Sequence, residues 1–505
     1  MKIDFLHIKS RFKNLENIKV NFDENHLMTV LIGGNGSGKS NVLEALVSIF
    51  RNLDLGEKPD FAYEVKYKLG GGNNAKWVTV IADPTGKTLS QQYQITFSRS
   101  ITGANQKIAL SKVKRDKKGH SDFLPNHVFA YYSGPSDRLE KYFKKHRTNF
   151  YRKLLKSEVD LKSDIRPLFY AKPFHSQFVL LAFFLSKQAD QEKEFLKTHL
   201  GIESLDSVHF VMRKPSWTQS KNKKELFWGA EGVVRDFLEL LYPHCLAPVK
   251  ITRSEDTGLT GSDIKNEFFH LFLPSVDVLR EFAEGLTPDV FFKMLESTLL
   301  SEIISEVSVR VKVSSSEQPL SFSELSEGEQ QLLTVLGLLK FTGGKDTLFL
   351  LDEPDTHLNP AWTVKYLNFL DQFVPYSGAS HLLMVSHHPL AIAELEKEQV
   401  QVMERSGKDV IAFQPMESPK GMGINFLLRS DMFGLKTTID QPTTEDIEAR
   451  NKLAGKPTSL TLAEKQELQR LNDRLEPLGF NISTDDPDYM DYLMKKYHPT
   501  KGDVS

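Results

Sequence analysis

Gly33-Gly34-Asn35-Gly36-Ser37-Gly38-Lys39-Ser40 is the stretch on which the reading of this chain turns. It fits the pattern G-x-x-x-x-G-K-[ST]. Before it, Leu27-Met28-Thr29-Val30-Leu31-Ile32 is a short apolar run, β-branched at Thr29, Val30 and Ile32, and predicts a buried strand. After it, residues 41–50 have helical spacing. Strand, glycine loop and helix in that order make a phosphate site. The glycines let backbone N–H groups curl around phosphate oxygens, and the helix N-terminus adds partial positive charge. Lys39 is expected to reach the β- and γ-phosphates, and the Ser40 hydroxyl to ligate Mg2+. Gly33, Asn35, Gly36, Ser37, Gly38 and Asn41 complete the expected nucleotide contacts.

A second cluster narrows the choice. Thr347-Leu348-Phe349-Leu350-Leu351 predicts another buried strand, and it ends in Asp352-Glu353-Pro354. An acid at the end of an apolar strand is costly unless it meets a cation or water. Asp352 fits the Mg2+-associated carboxylate of a phosphate-loop enzyme. Glu353, one residue on, is placed to act as general base on an attacking water. Upstream, Leu325-Ser326-Glu327-Gly328-Glu329-Gln330-Gln331 precedes an apolar helical run, so Ser326 and Gly328 stand at a helix N-terminus, a second anion site. Downstream, Leu382-Leu383-Met384-Val385-Ser386-His387-His388-Pro389 is a strand ending in histidine.

Taken in order, these pieces resemble an ABC-type ATPase head. Residues 33–40 are similar to Walker A, 325–330 to the L-S-x-G-[EQ]-Q signature, 348–353 to Walker B, 355–359 to the D-loop, and His387 to the switch histidine. His388 competes for that last role, but Ser386-His387 matches the family's Thr-His pair better. The resemblance implies an α/β P-loop NTPase fold of ABC type, with an antiparallel β subdomain, a helical insertion and a helical C-terminal tail. It implies ATP and Mg2+ as cofactors, with His387 contacting the γ-phosphate. It also implies two heads facing each other, so that Ser326 and the Gly328 N–H of one contact the γ-phosphate held by Lys39 of the other. The family's Q-loop glutamine has no clear counterpart. The strand 128–134 occupies the approximate position, with Ser133 and Gly134 where glutamine is expected, and Gln177 is a second candidate.

The catalytic head is split in sequence. Its first part, 1–98, carries the phosphate loop and alternating segments at 63–67, 77–81 and 93–97 that predict antiparallel strands around a glycine-rich hairpin at 70–74. Its second part, 306–415, opens on the alternating strand 306–313. Between them, 99–305 is expected to be a largely helical insertion, with helical segments at 180–196 and 233–241. The tail, 416–505, contains the capping box Thr461-Leu462-Ala463-Glu464, leading to Leu468, Leu471 and Leu475 on one helical face. A further tail helix is expected to carry Tyr489, Tyr492, Leu493 and Tyr497. Two readings stay open for this tail: packing on its own head, or docking a partner protein.

With 505 residues, 40% hydrophobic, 26% charged and a net charge of −2, the chain has an ordinary globular composition. The total charge predicts no nucleic-acid binder, but its distribution is uneven. Residues 107–156 hold 14 Lys/Arg against 4 Asp/Glu, a candidate DNA or RNA contact or simply a solvated face. The single cysteine, Cys245, excludes an intrachain disulfide framework and a Cys-rich zinc site and suits a reducing cytoplasm. The most apolar run, 178–185, is too short to span a bilayer, so no membrane association is expected.

Among ABC-type proteins, a transporter subunit fits poorly, because the phosphate loop and signature lie far apart. No sustained heptad argues for a long chromosome-structural arm. The opening Ile3-Asp4-Phe5-Leu6-His7-Ile8-Lys9-Ser10-Arg11-Phe12 resembles the RecF/SMC/Rad50-like class, in which a basic residue precedes Walker A; Arg11 is therefore expected to touch the nucleotide or the facing head. The chain is most similar to restriction-associated ATPases, including PtuA-type subunits of Septu antiphage defence, through Glu353-Pro354-Asp355-Thr356-His357-Leu358-Asn359-Pro360, Tyr131-Tyr132-Ser133-Gly134, and Leu478-Gly479-Phe480 with Asp486-Pro487. That resemblance implies a homodimer or higher oligomer closed by nucleotide, controlling a separate PtuB-like HNH nuclease. Asp486-Pro487-Asp488 reads as a helix cap with Pro at the first position rather than as a nuclease acid pair. The alternatives are a DNA-repair ATPase of RecF or Rad50 type that binds DNA directly, and a scaffold that binds ATP without hydrolysing it.

Overall fold

A computed structural model describes residues 1–479, apart from 101–102, 117–118, 160–165, 186–190, 219–225, 256–263, 408 and 457–459. Its centre is a seven-stranded sheet built from the apolar runs on either side of the phosphate loop and the acidic pair. In spatial order its strands are Asp409–Phe413, Val400–Ser406, Met28–Gly33, Ser380–Val385, Thr347–Asp352, His127–Tyr132 and Leu168–Tyr170. All pair in parallel except the edge strand Asp409–Phe413. The three innermost strands are buried almost throughout, which is why they read as continuous apolar runs rather than alternating ones. Register pairs Asp352 with both Val385 and Tyr132, and Leu31 with Val385. Their C-terminal ends therefore meet along one edge, where ligands bind in open α/β sheets.

A second sheet, antiparallel, runs Ile18–Asn21, Lys2–Ile8, Tyr63–Leu69, Lys76–Ala82, Tyr93–Ser98, Gln106–Ile108. The expected strands at 63–67, 77–81 and 93–97 lie within it, the first two joined by the turn at Gly70. The helix Lys39–Leu55 shares one apolar core with this sheet and the central one: Leu43, Leu46, Val47 and Phe50 pack with Val65, Val80, Leu348 and Val385. Burial on opposite sides holds the helix, and with it the end of the phosphate loop, in place.

The segment 99–305 is less helical than its expected description. Two of its strands, His127–Tyr132 and Leu168–Tyr170, join the central sheet. Three more, Leu246–Glu255, Ile264–Leu273 and Ile202–Arg213, pair antiparallel with Ile304–Val313 and Leu320–Ser321 in a third sheet. Register shifts at Ile202/Ser204, Leu205/Ser207 and Val211/Met212 break the alternation that would have revealed the long strand Ile202–Arg213. The helices are present: His175–Leu185, Gln191–Leu200, Gly232–Leu241 and Pro288–Leu300. The signature helix Glu327–Thr342 crosses His175–Leu185 closely, since a Cβ on Gly337 would lie 1.8 Å from Val179.

The chain divides into a unit ending at Ile424 and a second beginning at Asn425. Within the second, helices Gln441–Ala454 and Leu462–Leu475 pack on each other, and Asp446 pairs with Arg474 at 2.8 Å. The capping box at Thr461 and Glu464 forms as expected, and Leu471 and Leu475 are buried. The further tail helix and Asp486-Pro487-Asp488 lie outside the described residues.

Candidate functional site

The phosphate loop leaves its strand at Gly33 and enters the helix at Lys39. Gly33 has φ +136°, and a Cβ there would lie 2.0 Å from the Met403 carbonyl oxygen, so no other residue fits. Gly38 closes the loop as the helix N-cap in the left-handed region, with no side-chain cap. The first-turn amides are thus left for an anion. Gly34, Asn35 and Gly36 form the exposed crest, while the Ser37 hydroxyl is buried without a partner. Lys39 is 4% exposed, and its ammonium donates to the Gly33 and Gly34 carbonyls at 2.8 and 3.0 Å. Burial lowers it to about 8, against the opposing pull of Glu353 and Asp352.

Ser40 donates to Asp352 Oδ1 at 2.9 Å, joining residues far apart in sequence. Asp352 is fully buried, and its Oδ2 has no hydrogen-bond partner. A hydroxyl beside an orphaned carboxylate oxygen is the hard-oxygen donor set that suits Mg2+. Burial raises Asp352 from 3.8 to about 6. The fold thus disfavours the ionised carboxylate: the penalty is absent below the unfolded value and grows as pH rises through the folded one. A cation on Asp352 needs the ionised form and offsets that penalty. Added Mg2+ should therefore raise the melting temperature of the ATP-bound chain more at about pH 7.5 than at about pH 5. Equal shifts at both would remove Asp352 as the cation ligand.

Glu353 follows with φ +54°, an unusual backbone state for a non-glycine residue that costs about 1 kcal/mol or more. Its N–H donates to the Val385 carbonyl at 2.9 Å, and its carboxylate meets His387 Nε2 at 3.2 Å. Burial and the nearby Lys39 ammonium lower His387 despite Glu353, so at neutral pH the imidazole is uncharged and Nε2–H donates to the carboxylate. His388 is turned away: its Nδ1 accepts from the Leu390 N–H and caps the following turn. Ser386 donates to the buried Asp355 carboxylate at 2.6 Å, tying the histidine strand to the D-loop.

The structure brings Lys39, Ser40, Asp352, Glu353 and His387 together. Ser326 and Gly328 stand apart from them. Ser326 is exposed and caps the signature helix in a capping box with Glu329. A Cβ on Gly328 would lie 2.5 Å from the His357 carbonyl oxygen, so the helix start rests on the D-loop. Arg11 is exposed, its Nε donating to the Lys13 carbonyl at 3.1 Å. Two residues that sequence reasoning missed support the loop and the helix that follows it. Asn14 donates to the Gly36 carbonyl at 3.0 Å and accepts from Asn41 at 2.5 Å. Arg138 donates to Asn41 Oδ1 at 2.7 Å and to the fully buried Glu44 at 2.8 Å, and Lys13 pairs with Glu44 from the other side. No motif marks either: Asn14 lies in an irregular loop, and Arg138 looks like one more cation in a basic stretch.

The family model described as "AAA domain, putative AbiEii toxin, Type IV TA system" matches residues 28–393. The chain belongs to this AAA family. It is similar to the "Septu protein PtuA" of Bacillus mycoides (strain KBAB4), with 25% identity over 265 residues. That match takes in 49% of this chain and 36% of the relative, so the chain spans little more than a third of the relative's length. Among solved structures it is similar to the SMC head domain from Thermotoga maritima, at 12% identity and a TM-score of 0.33 over 82% of this chain and 99% of that one. It is similar also to Stu0660 of Streptococcus thermophilus, at 12% identity and 0.29 over 98% and 99%. Both scores are low.

In this AAA protein Ser133, one of the residues standing where the Q-loop glutamine is expected, follows a strand adjoining Thr347–Asp352; its N–H donates to the Asp352 carbonyl at 3.2 Å and its hydroxyl lies 3.2 Å from that of Thr356. Gln177 lies in the helix His175–Leu185, which packs on the signature helix. The basic stretch 107–156 is partly neutralised, mostly by acids at and just after the end of the helix Lys39–Leu55. Arg115 and His146 both meet Asp54 at 2.6 Å, Lys145 pairs with Glu57, and Arg147 meets Glu140 at 2.7 Å. Lys141, Lys144, Arg152, Lys153 and Lys156 remain exposed. No helix among the described residues is long and apolar enough to cross a membrane.

Proposed function

We propose that this chain hydrolyses ATP between two copies of itself and thereby controls a partner HNH nuclease in bacterial antiphage defence. The observation that carries the reading is that the signature serine is bonded to none of the groups that converge. Lys39, Ser40, Asp352, Glu353 and His387 meet at one sheet edge, while Ser326 is exposed and its side chain bonds only Glu329 among the described residues. Each half is incomplete alone, and two heads in opposition complete both.

In this reading Gly33, Asn35, Gly36, Ser37, Gly38 and Asn41 wrap the phosphates, Lys39 neutralises them, and Ser40 and Asp352 hold Mg2+. The bound metal supplies charge neutralisation at the transferring phosphoryl group. Glu353 takes the proton of the attacking water, and His387 holds the Glu353 carboxylate in place and faces the γ-phosphate. Ser326 and Gly328 of the facing head close the cage, and the exposed Arg11 extends toward that head. The relation to the Septu protein PtuA supports a defence role and a PtuB-like nuclease subunit.

Two measurements test this together. Light scattering of the Glu353→Gln chain with Mg2+-ATP should show twice the nucleotide-free mass; an unchanged mass rejects the two-head site. Genes adjoining this one should encode an HNH nuclease, with or without a retron reverse transcriptase beside it, and the nuclease should co-purify. The exposed cations Lys144, Arg152 and Lys153 favour a second reading, a repair ATPase that holds DNA itself. It requires DNA affinity of the isolated chain that falls steeply with salt.

A further inference from the structure

Gln331 lies just past the signature on its helix and is 4% exposed. Its amide joins three other parts of the site. Nε2 donates to the Glu353 carbonyl at 3.3 Å, Oε1 accepts from the His357 N–H at 3.1 Å, and the amide lies close enough to the Tyr131 hydroxyl to hold its pKa down against burial. A backbone N–H can only donate, so His357 fixes which end of the amide is oxygen. The same Glu353 carbonyl accepts from the Thr356 hydroxyl at 2.8 Å and the Thr356 N–H at 3.4 Å. These bonds grip the peptide of the one residue in the pair whose backbone sits in the left-handed region.

We infer that Gln331 is a positioning residue that sets the backbone of Glu353 from the signature helix, so that any shift of that helix moves the base of its own head. The inference rests on the reading of Glu353 as the base. Ser326 and Gly328 start the helix, Gly328 rests on the His357 carbonyl, and Gln331 grips the His357 N–H one turn later. The helix and the D-loop are thereby tied together, and among the described residues Glu353 takes a side-chain bond from each: from Gln331 on the helix and from Thr356 on the D-loop. When the signature end of one head engages nucleotide on the facing head, Gln331 carries the displacement to Glu353, linking one ATP site to the other. A strained backbone held by side-chain bonds is suited to this, because small changes in the grip alter its geometry.

Two substitutions in the full chain separate the bonds. Gln331→Glu keeps an acceptor for His357 and loses the donors to Glu353 and Tyr131. Gln331→Met keeps the shape and loses everything. Both should lower kcat by about tenfold, with ATP affinity within about twofold of the parent. In a Glu353→Gln background, Gln331→Met should have no further effect on the residual rate, since it acts through a group already lost. An unchanged kcat in both single variants overturns the inference. So does a further tenfold fall in the double variant, or a parallel loss of ATP affinity and melting temperature. If Glu353→Gln itself leaves turnover intact, the reading of Glu353 fails instead, whatever Gln331 does.

Discussion

Glu353→Gln is expected to lower ATP turnover of the full chain by about a thousandfold while leaving nucleotide affinity near that of the parent. The amide keeps the volume and the contact with His387 but cannot take a proton. About 4 kcal/mol of barrier is at stake, the usual weight of a well-placed general base. The carboxylate lies 3.2 Å from His387 Nε2, within the cluster that holds Lys39 and Asp352. A chain that only binds ATP as a scaffold would show equal, negligible turnover with Glu or Gln at this position. That outcome would reject catalysis, whereas a large fall from a measurable rate establishes it.

The second large effect is expected at Lys39. Lys39→Ala should weaken ATP binding by at least about a hundredfold, measured by calorimetry, because it removes a buried charge-assisted donor to phosphate. In the nucleotide-free chain the ammonium is already engaged by the Gly33 and Gly34 carbonyls, so the loop keeps a ready position for it. Those carbonyls can turn to water at the exposed crest, and the fold should survive the change. ATP affinity within a few fold of the parent would show that phosphate is held elsewhere.

Much of this site was legible because its chemistry contradicts its surroundings. Lys39 and Asp352 are charges placed next to apolar strands, and a run of four glycines in six residues before Lys39 suits neither the interior of a helix nor that of a strand. His387 was separable from His388 only by resemblance; the turn capped by His388 is a physical distinction that the sequence does not display. Asn14, Arg138 and Gln331 went unread for another reason. Each acts by hydrogen-bonding a backbone carbonyl or a neighbouring side chain distant in sequence, and nothing in local spacing records such a partner. The third sheet was hidden by its bulges, which erase a period of two over the twelve residues of Ile202–Arg213. Arg11 was singled out for its place before the loop, but the side chain that meets the loop belongs to Asn14.

The strand that carries the phosphate loop is flanked by Ser380–Val385 on one side and Val400–Ser406 on the other, and the Met403 carbonyl leans against Gly33. A ribosome making this protein delivers Lys39 early and those two neighbours very late. Until they emerge, the strand that leads into the loop has no neighbour on either side. A growing chain therefore has its phosphate loop in hand long before it has the two strands that fix the loop's geometry.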